Sequence, residues 1–122
     1  MYSDNMALHA MPEYGQLSLC VYIDRDELFR LGERITERFP DAYMNGYSWS
    51  SLISCYVSEV DPELMDEVET DPEAGMVAVY MNYSEENLVK MRRFESHVLA
   101  MLADEAALMA FVETHYGDIE WG

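Results

Sequence analysis

Leu17, Leu19, Val21 and Ile23 alternate with Ser18, Cys20 and Tyr22, the period of a strand that buries one face and leaves the other out. Such a strand needs a neighbour beside it and a layer over its apolar side. Residues 5–11 supply the neighbour, because Pro12-Glu13-Tyr14-Gly15 carries turn chemistry between the two runs. The spacing therefore predicts a hairpin over residues 5–11 and 16–24. A second hairpin is predicted further on. The pattern turns strand-like around residues 67–70, and Asp71-Pro72-Glu73-Ala74-Gly75 reads as a five-residue loop with Gly75 free to take positive φ. Residues 76–82, rich in Val, Tyr and Met, form its second strand.

Each hairpin is followed by helices. Asp24 or Asp26 can cap the first, in which Leu28, Leu31, Ile35 and Phe39 form an apolar stripe and Arg25, Arg30, Arg34 and Arg38 interleave with Glu27, Glu33 and Glu37. Pro40 ends it and opens a loop over residues 40–47. Ser48 is the expected cap of a second helix, along which Leu52, Ile53, Tyr56, Val57 and Val60 keep helical spacing. Asp61-Pro62 restarts the chain as a cap and a first helical residue, giving a short turn to Met65. Ser84 caps a long helix with Leu88, Met91, Phe94, Val98 and Leu102 on its stripe. Asp104 caps a last helix carrying Ala107, Leu108, Phe111, Val112 and His115 and ending at Gly117. The order is ββααββαα. It predicts an α+β fold: a small four-stranded antiparallel sheet of two hairpins packed with about four helices, forming one domain over residues 1–122.

Charge narrows the partners. No Lys or Arg occurs between Arg38 and Lys90, a gap of 51 residues, while residues 59–73 hold eight acids: Glu59, Asp61, Glu63, Asp66, Glu67, Glu69, Asp71 and Glu73. A net charge of −17 repels phosphate, so neither nucleic acid nor an anionic membrane is expected as a partner. The same charge suits a basic protein, and it equally serves solubility. Cys20 and Cys55 match no metal spacing and read as buried free thiols of a reducing compartment. Residues 1–11 contain no signal-peptide pattern, and no apolar run approaches the ~20 residues of a membrane span. A cytoplasmic protein is expected.

No catalytic constellation stands out. His9, His97 and His115 lie on three elements, none at ligand spacing with another His or Cys. No nucleophile elbow, phosphate loop or dinucleotide fingerprint is present. The serines at 48, 50, 51 and 54 read as capping and polar helix face. The acid tract has oxygens for calcium but lacks the turn that brings ligands around one ion. No metal and no cofactor is expected.

Two motifs are more distinctive. Asn45-Gly46-Tyr47-Ser48-Trp49 is a turn with an aromatic in the first helical turn, where Asn-Gly tolerates a left-handed bend and Trp49 locks the loop to the body. Asp71-Pro72-Glu73-Ala74-Gly75-Met76 enters the second hairpin's better strand. In this order, with Pro62-Glu63-Leu64 between them and two helices after, they resemble the bacterial polymorphic-toxin immunity family known as immunity protein 51, over about residues 14–115. The resemblance implies an immunity protein that neutralises a toxin and has no enzymatic activity. It also implies that Asn45, Gly46, Tyr47, Trp49, Asp71, Glu73, Gly75 and Met76 hold the fold rather than touch the toxin.

The leading expectation is stoichiometric binding of a cognate protein toxin through the acidic surface, whose carboxylates stand in for phosphates in a basic nuclease site. Candidate contacts are Glu59, Asp61, Glu63, Asp66, Glu67 and Glu69, with Tyr43, Tyr47 or Tyr56 as aromatic anchors. A small hydrolase or ligand-binding domain of unknown substrate is the alternative, and it requires a pocket with convergent polar groups. Self-association through the Tyr- and Met-rich surface, as a homodimer, is a third reading.

Overall fold

The computed structural model describes residues 2–122. Its four strands, β1 (Met6–Met11), β2 (Gln16–Tyr22), β3 (Glu69–Pro72) and β4 (Met76–Asn82), form one antiparallel sheet in the order β1-β2-β4-β3. The helices are α1 (Asp26–Arg38), α2 (Gly46–Val60), the short α3 (Pro62–Met65), α4 (Glu85–Ala103) and α5 (Glu105–Thr114). This is the expected α+β architecture in the expected order. Each hairpin contributes one central strand, and the long-range β2–β4 ladder joins them, with Leu19 opposite Val79 and Val21 opposite Val77.

The alternation in β2 does what its period requires. Leu17, Leu19 and Val21, with Val77, Val79 and Met81 of β4, turn to one side and enter a core shared with Leu28, Leu31 and Ile35 of α1. Leu52, Ile53 and Val57 of α2, Met91, Phe94 and Val98 of α4, and Leu108 and Val112 of α5 complete it. The helices thus share one face of the sheet. The pleat sends Ser18, Cys20 and Tyr22 of β2, with Met76, Ala78 and Tyr80 of β4, to the other face.

Several local expectations are corrected. Neither Asp24 nor Asp26 caps α1: the cap position is Arg25, without a side-chain bond, and Asp26 has φ 49°, a left-handed conformation that Asp tolerates. The connection is held instead by buried Asn5, whose Nδ2 donates to the carbonyls of Tyr22 and Arg25, each at 3.0 Å. Asn45, not Ser48, caps α2, its Oδ1 accepting from Ser48 N at 3.0 Å. Asn45 is extended and Gly46 already helical, so no left-handed bend occurs there. Asp61 occupies the cap position of α3, with its carboxylate held chiefly by Arg93 and His97. Pro72 belongs to β3 and is paired with Val77, so the loop is shorter than five residues. Gly15, not Gly75, takes positive φ, at 64°. The last helix stops at Thr114, and a 3-10 turn over Tyr116–Asp118 follows. Ser84 and Asp104 cap α4 and α5 as expected, accepting from Asn87 N and Ala107 N.

Candidate functional site

The two motifs meet. Gly46 N donates to Ala74 O at 3.1 Å, and the helix start lies so close to the hairpin that a Cβ on Gly46 would sit 1.4 Å from Glu73 O. The hairpin is closed by Glu73 N to Met76 O at 2.8 Å and tied to the end of β2 by Ile23 N to Gly75 O at 3.1 Å. A Cβ on Gly75 would meet the Asp24 carboxylate, so this position needs space rather than an unusual φ. Trp49 is buried in the core, its indole against the backbone of α1 at Gly32. The chain's end returns to the same place: Gly122 N donates to Ser48 Oγ at 2.8 Å, and Ser48 Oγ donates to Tyr43 O. Asp71 stands exposed on β3, opposite Ala78.

The acid tract does not form one uniform face. Arg93 Nε donates to Asp61 Oδ2 at 2.7 Å, and His97 Nε2 lies 2.9 Å from the same oxygen. The hydrogen bond from His97, and then those from Arg93, hold the Asp61 carboxyl below its ordinary range. Glu67 accepts from Lys90 Nζ at 2.8 Å, and Lys90 also reaches Glu86 at 3.3 Å, an arrangement that raises the lysine's pKa. Glu59, Glu63, Asp66 and Glu69 stand exposed. Elsewhere Arg34 pairs with Glu105, Arg38 with Glu113 and Arg92 with Glu95. The basic clusters are thus largely spent inside the molecule, so they offset the surrounding acids only locally.

The tyrosines are dispersed. Tyr43 is 65% exposed, in the loop between α1 and α2, where it borders a shallow groove with Phe29 and Met44. Tyr47 is 54% exposed and lines a cleft with Pro72 and Trp121 on the helix side of β3. Tyr56 is half-buried, edge-to-face on Phe111 with centroids 5.4 Å apart. An aromatic that sequence reasoning passed over is Tyr14, 76% exposed beside the left-handed Gly15. With Gln16, Glu67, Glu69, Tyr80 and Asn82 it borders an open groove of about 470 Å³. The cross-strand pairing of Glu69 with Tyr80 was the missing signal, and no local pattern encodes it.

Cys20 and Cys55 are free and half-buried rather than fully buried. Burial, then the negative charges of Asp118 and Glu59, push the Cys55 thiol up. Among the described residues no group of three or more His, Cys, Asp or Glu converges as metal ligands would. Among them, too, no helix is long and apolar enough to cross a membrane.

The two motifs clasp each other, and Glu59, Glu63, Asp66 and Glu69 stand exposed on the surface. The family model described as immunity protein 51 matches residues 9–116, and the chain belongs to that family. No curated protein and no solved structure matches it.

Proposed function

We propose that this protein neutralises a cognate toxin by stoichiometric binding, not by catalysis, with its acidic surface against a basic patch such as the nucleic-acid groove of a nuclease. Family membership supports the immunity role. The observation that carries the electrostatic part is the distribution of charge: Arg34, Arg38, Lys90, Arg92 and Arg93 are each held by carboxylates, while Glu59, Glu63, Asp66 and Glu69 face solvent. Opposite fields of that kind speed encounter and choose between partners. Asp61 and Glu67 enter the interface already paired, so they bring less free charge than their exposed neighbours. Of the motif residues, Asn45, Gly46, Trp49 and Gly75 at the α2–hairpin junction maintain the fold and stay out of the contact.

Titration calorimetry with the toxin domain encoded beside the gene, at low and high salt, tests this. Tight 1:1 binding that weakens as salt rises is expected. Binding indifferent to salt would keep the immunity role and move the interface to apolar surface. A folded, active toxin that does not bind would overturn the function.

A further inference from the structure

Among the described residues one face of the sheet carries no α-helix, and one edge of the sheet carries carboxylates. The register unites them. Glu69 lies opposite Tyr80 and Asp71 opposite Ala78, so both acids project to the face away from the core. Burial, then the charge of Asp71, of the Cys20 thiol and of Glu73, raise the Tyr80 phenol's pKa. The centre of the face is low. Ala7 pairs with Cys20, and Cys20 with Ala78, giving a row of small side chains between Tyr22 and Tyr80. Arg25 covers the Tyr22 corner, its guanidinium 4.2 Å from that ring's centroid. At the opposite corner the floor opens into the groove bordered by Tyr14, Tyr80, Glu67 and Glu69.

We propose that the helix-free face of the sheet is the docking surface, and that it takes an extended arginine- or lysine-bearing segment of the partner protein, with one basic side chain seated in the groove between Tyr14, Tyr80, Glu67 and Glu69. This rests on the binding function proposed above and specifies where it resides. A guanidinium in the groove meets the Glu69 carboxylate, with Glu67 already shared with Lys90 Nζ, and the phenol rings of Tyr14 and Tyr80, which suits a charge-assisted hydrogen bond and cation–π contact together. Ala78 is buried at the floor of the row of small residues and Cys20 half-buried, so the segment lies over the rims set by Tyr22 and Tyr80, and Asp71 and Glu73 continue the negative field beyond the groove. A second copy of this chain is a poorer occupant, because its Arg34, Arg38, Lys90, Arg92 and Arg93 are already held by its own carboxylates. A nucleic acid is excluded by the same charges.

The test is calorimetry of the full chain against the toxin domain encoded beside its gene, using Tyr14→Ala and three sets of charge variants. Glu69→Lys with Asp71→Lys reverses charge on the face. Glu69→Gln with Asp71→Asn removes it more gently and is read in its place if the lysine version does not fold. Glu59→Gln, Glu63→Gln and Asp66→Asn together neutralise the tract off the face. The face reversal is expected to weaken binding about 100-fold, and Tyr14→Ala about 10-fold, with the tract triple changing it less than about 3-fold. Weakening by the tract triple that equals or exceeds that of the face variants overturns the placement and leaves the binding function standing. No binding by the wild-type chain removes both.

Discussion

Gly46 and Glu73, from different motifs, touch through their backbones: a Cβ at Gly46 would stand 1.4 Å from Glu73 O and 3.0 Å from Met76 O. Carbonyl oxygens of a hairpin cannot swing aside as a side chain can. Gly46→Ala is expected to destabilise the protein by about 3 kcal/mol, read as a lower urea midpoint at unchanged slope. Gly75→Ala meets only the end of the Asp24 side chain. Its cost should be about 1 kcal/mol, and Asp24→Ala in the same chain should recover most of it. Equal costs for the two glycines would refute the distinction.

Asn45 and Ser48 divide the work at the start of α2. Removing the cap in Asn45→Ala should cost about 1 kcal/mol. Ser48 is buried and bridges Tyr43 O to Gly122 N. Ser48→Ala should therefore cost about as much and also speed hydrogen exchange at the Gly122 amide, which Asn45→Ala should leave alone.

Asp61 supplies a dependence on pH. Its side chain is 17% exposed, and its carboxyl titrates below its ordinary value of 3.8 because His97 and Arg93 favour the charged form. A lowered carboxylate contributes stability that is fully present above the unfolded pKa and is lost as pH falls through the folded one. The gap in melting temperature between wild type and Asp61→Asn should be widest above pH ~4 and close as the solution is acidified further. A constant gap would show that the ion pair adds nothing.

Trp49, at the start of α2, joins that helix to α1. It is 1% exposed, and a Cβ placed on Gly32 would stand 3.5 Å from its Nε1, an ordinary contact. Trp49→Ala should cost roughly 3 to 5 kcal/mol and Trp49→Phe less than half of that, by urea unfolding. An alanine variant close to wild type in stability would mean that the indole is not the lock between the two helices.

What the sequence disclosed, and what it withheld, follow from range. The alternation at Leu17, Leu19 and Val21, the stripe at Leu28, Leu31 and Ile35, and the caps at Ser84 and Asp104 are local patterns, and each stands in the structure where it was expected. The failures involve choices between near-equivalent neighbours or contacts from afar. Asn45 and Ser48 can both cap, and the return of Gly122 to Ser48 Oγ decides which of them is free to do so. Asp61 looked like a cap because its competitors, Arg93 and His97, lie over thirty residues away. Gly75 looked like a turn glycine because nothing nearby reveals that Asp24 occupies its side-chain space. The groove at Tyr14 depends on the β3–β4 register and on Gly15 and was invisible for the same reason.

The central ladder has a consequence for how the molecule can be divided. β2 belongs to the first hairpin and β4 to the second, and the loop over residues 39–45 separates the two halves of the chain. Cutting there would part β2 from β4 and expose on each piece the apolar surface that the other piece covers. The halves would be mutually dependent folding partners. Severed in that loop, this protein becomes a two-component device whose reassembly restores the sheet and, with it, the acid-edged surface that spans both pieces.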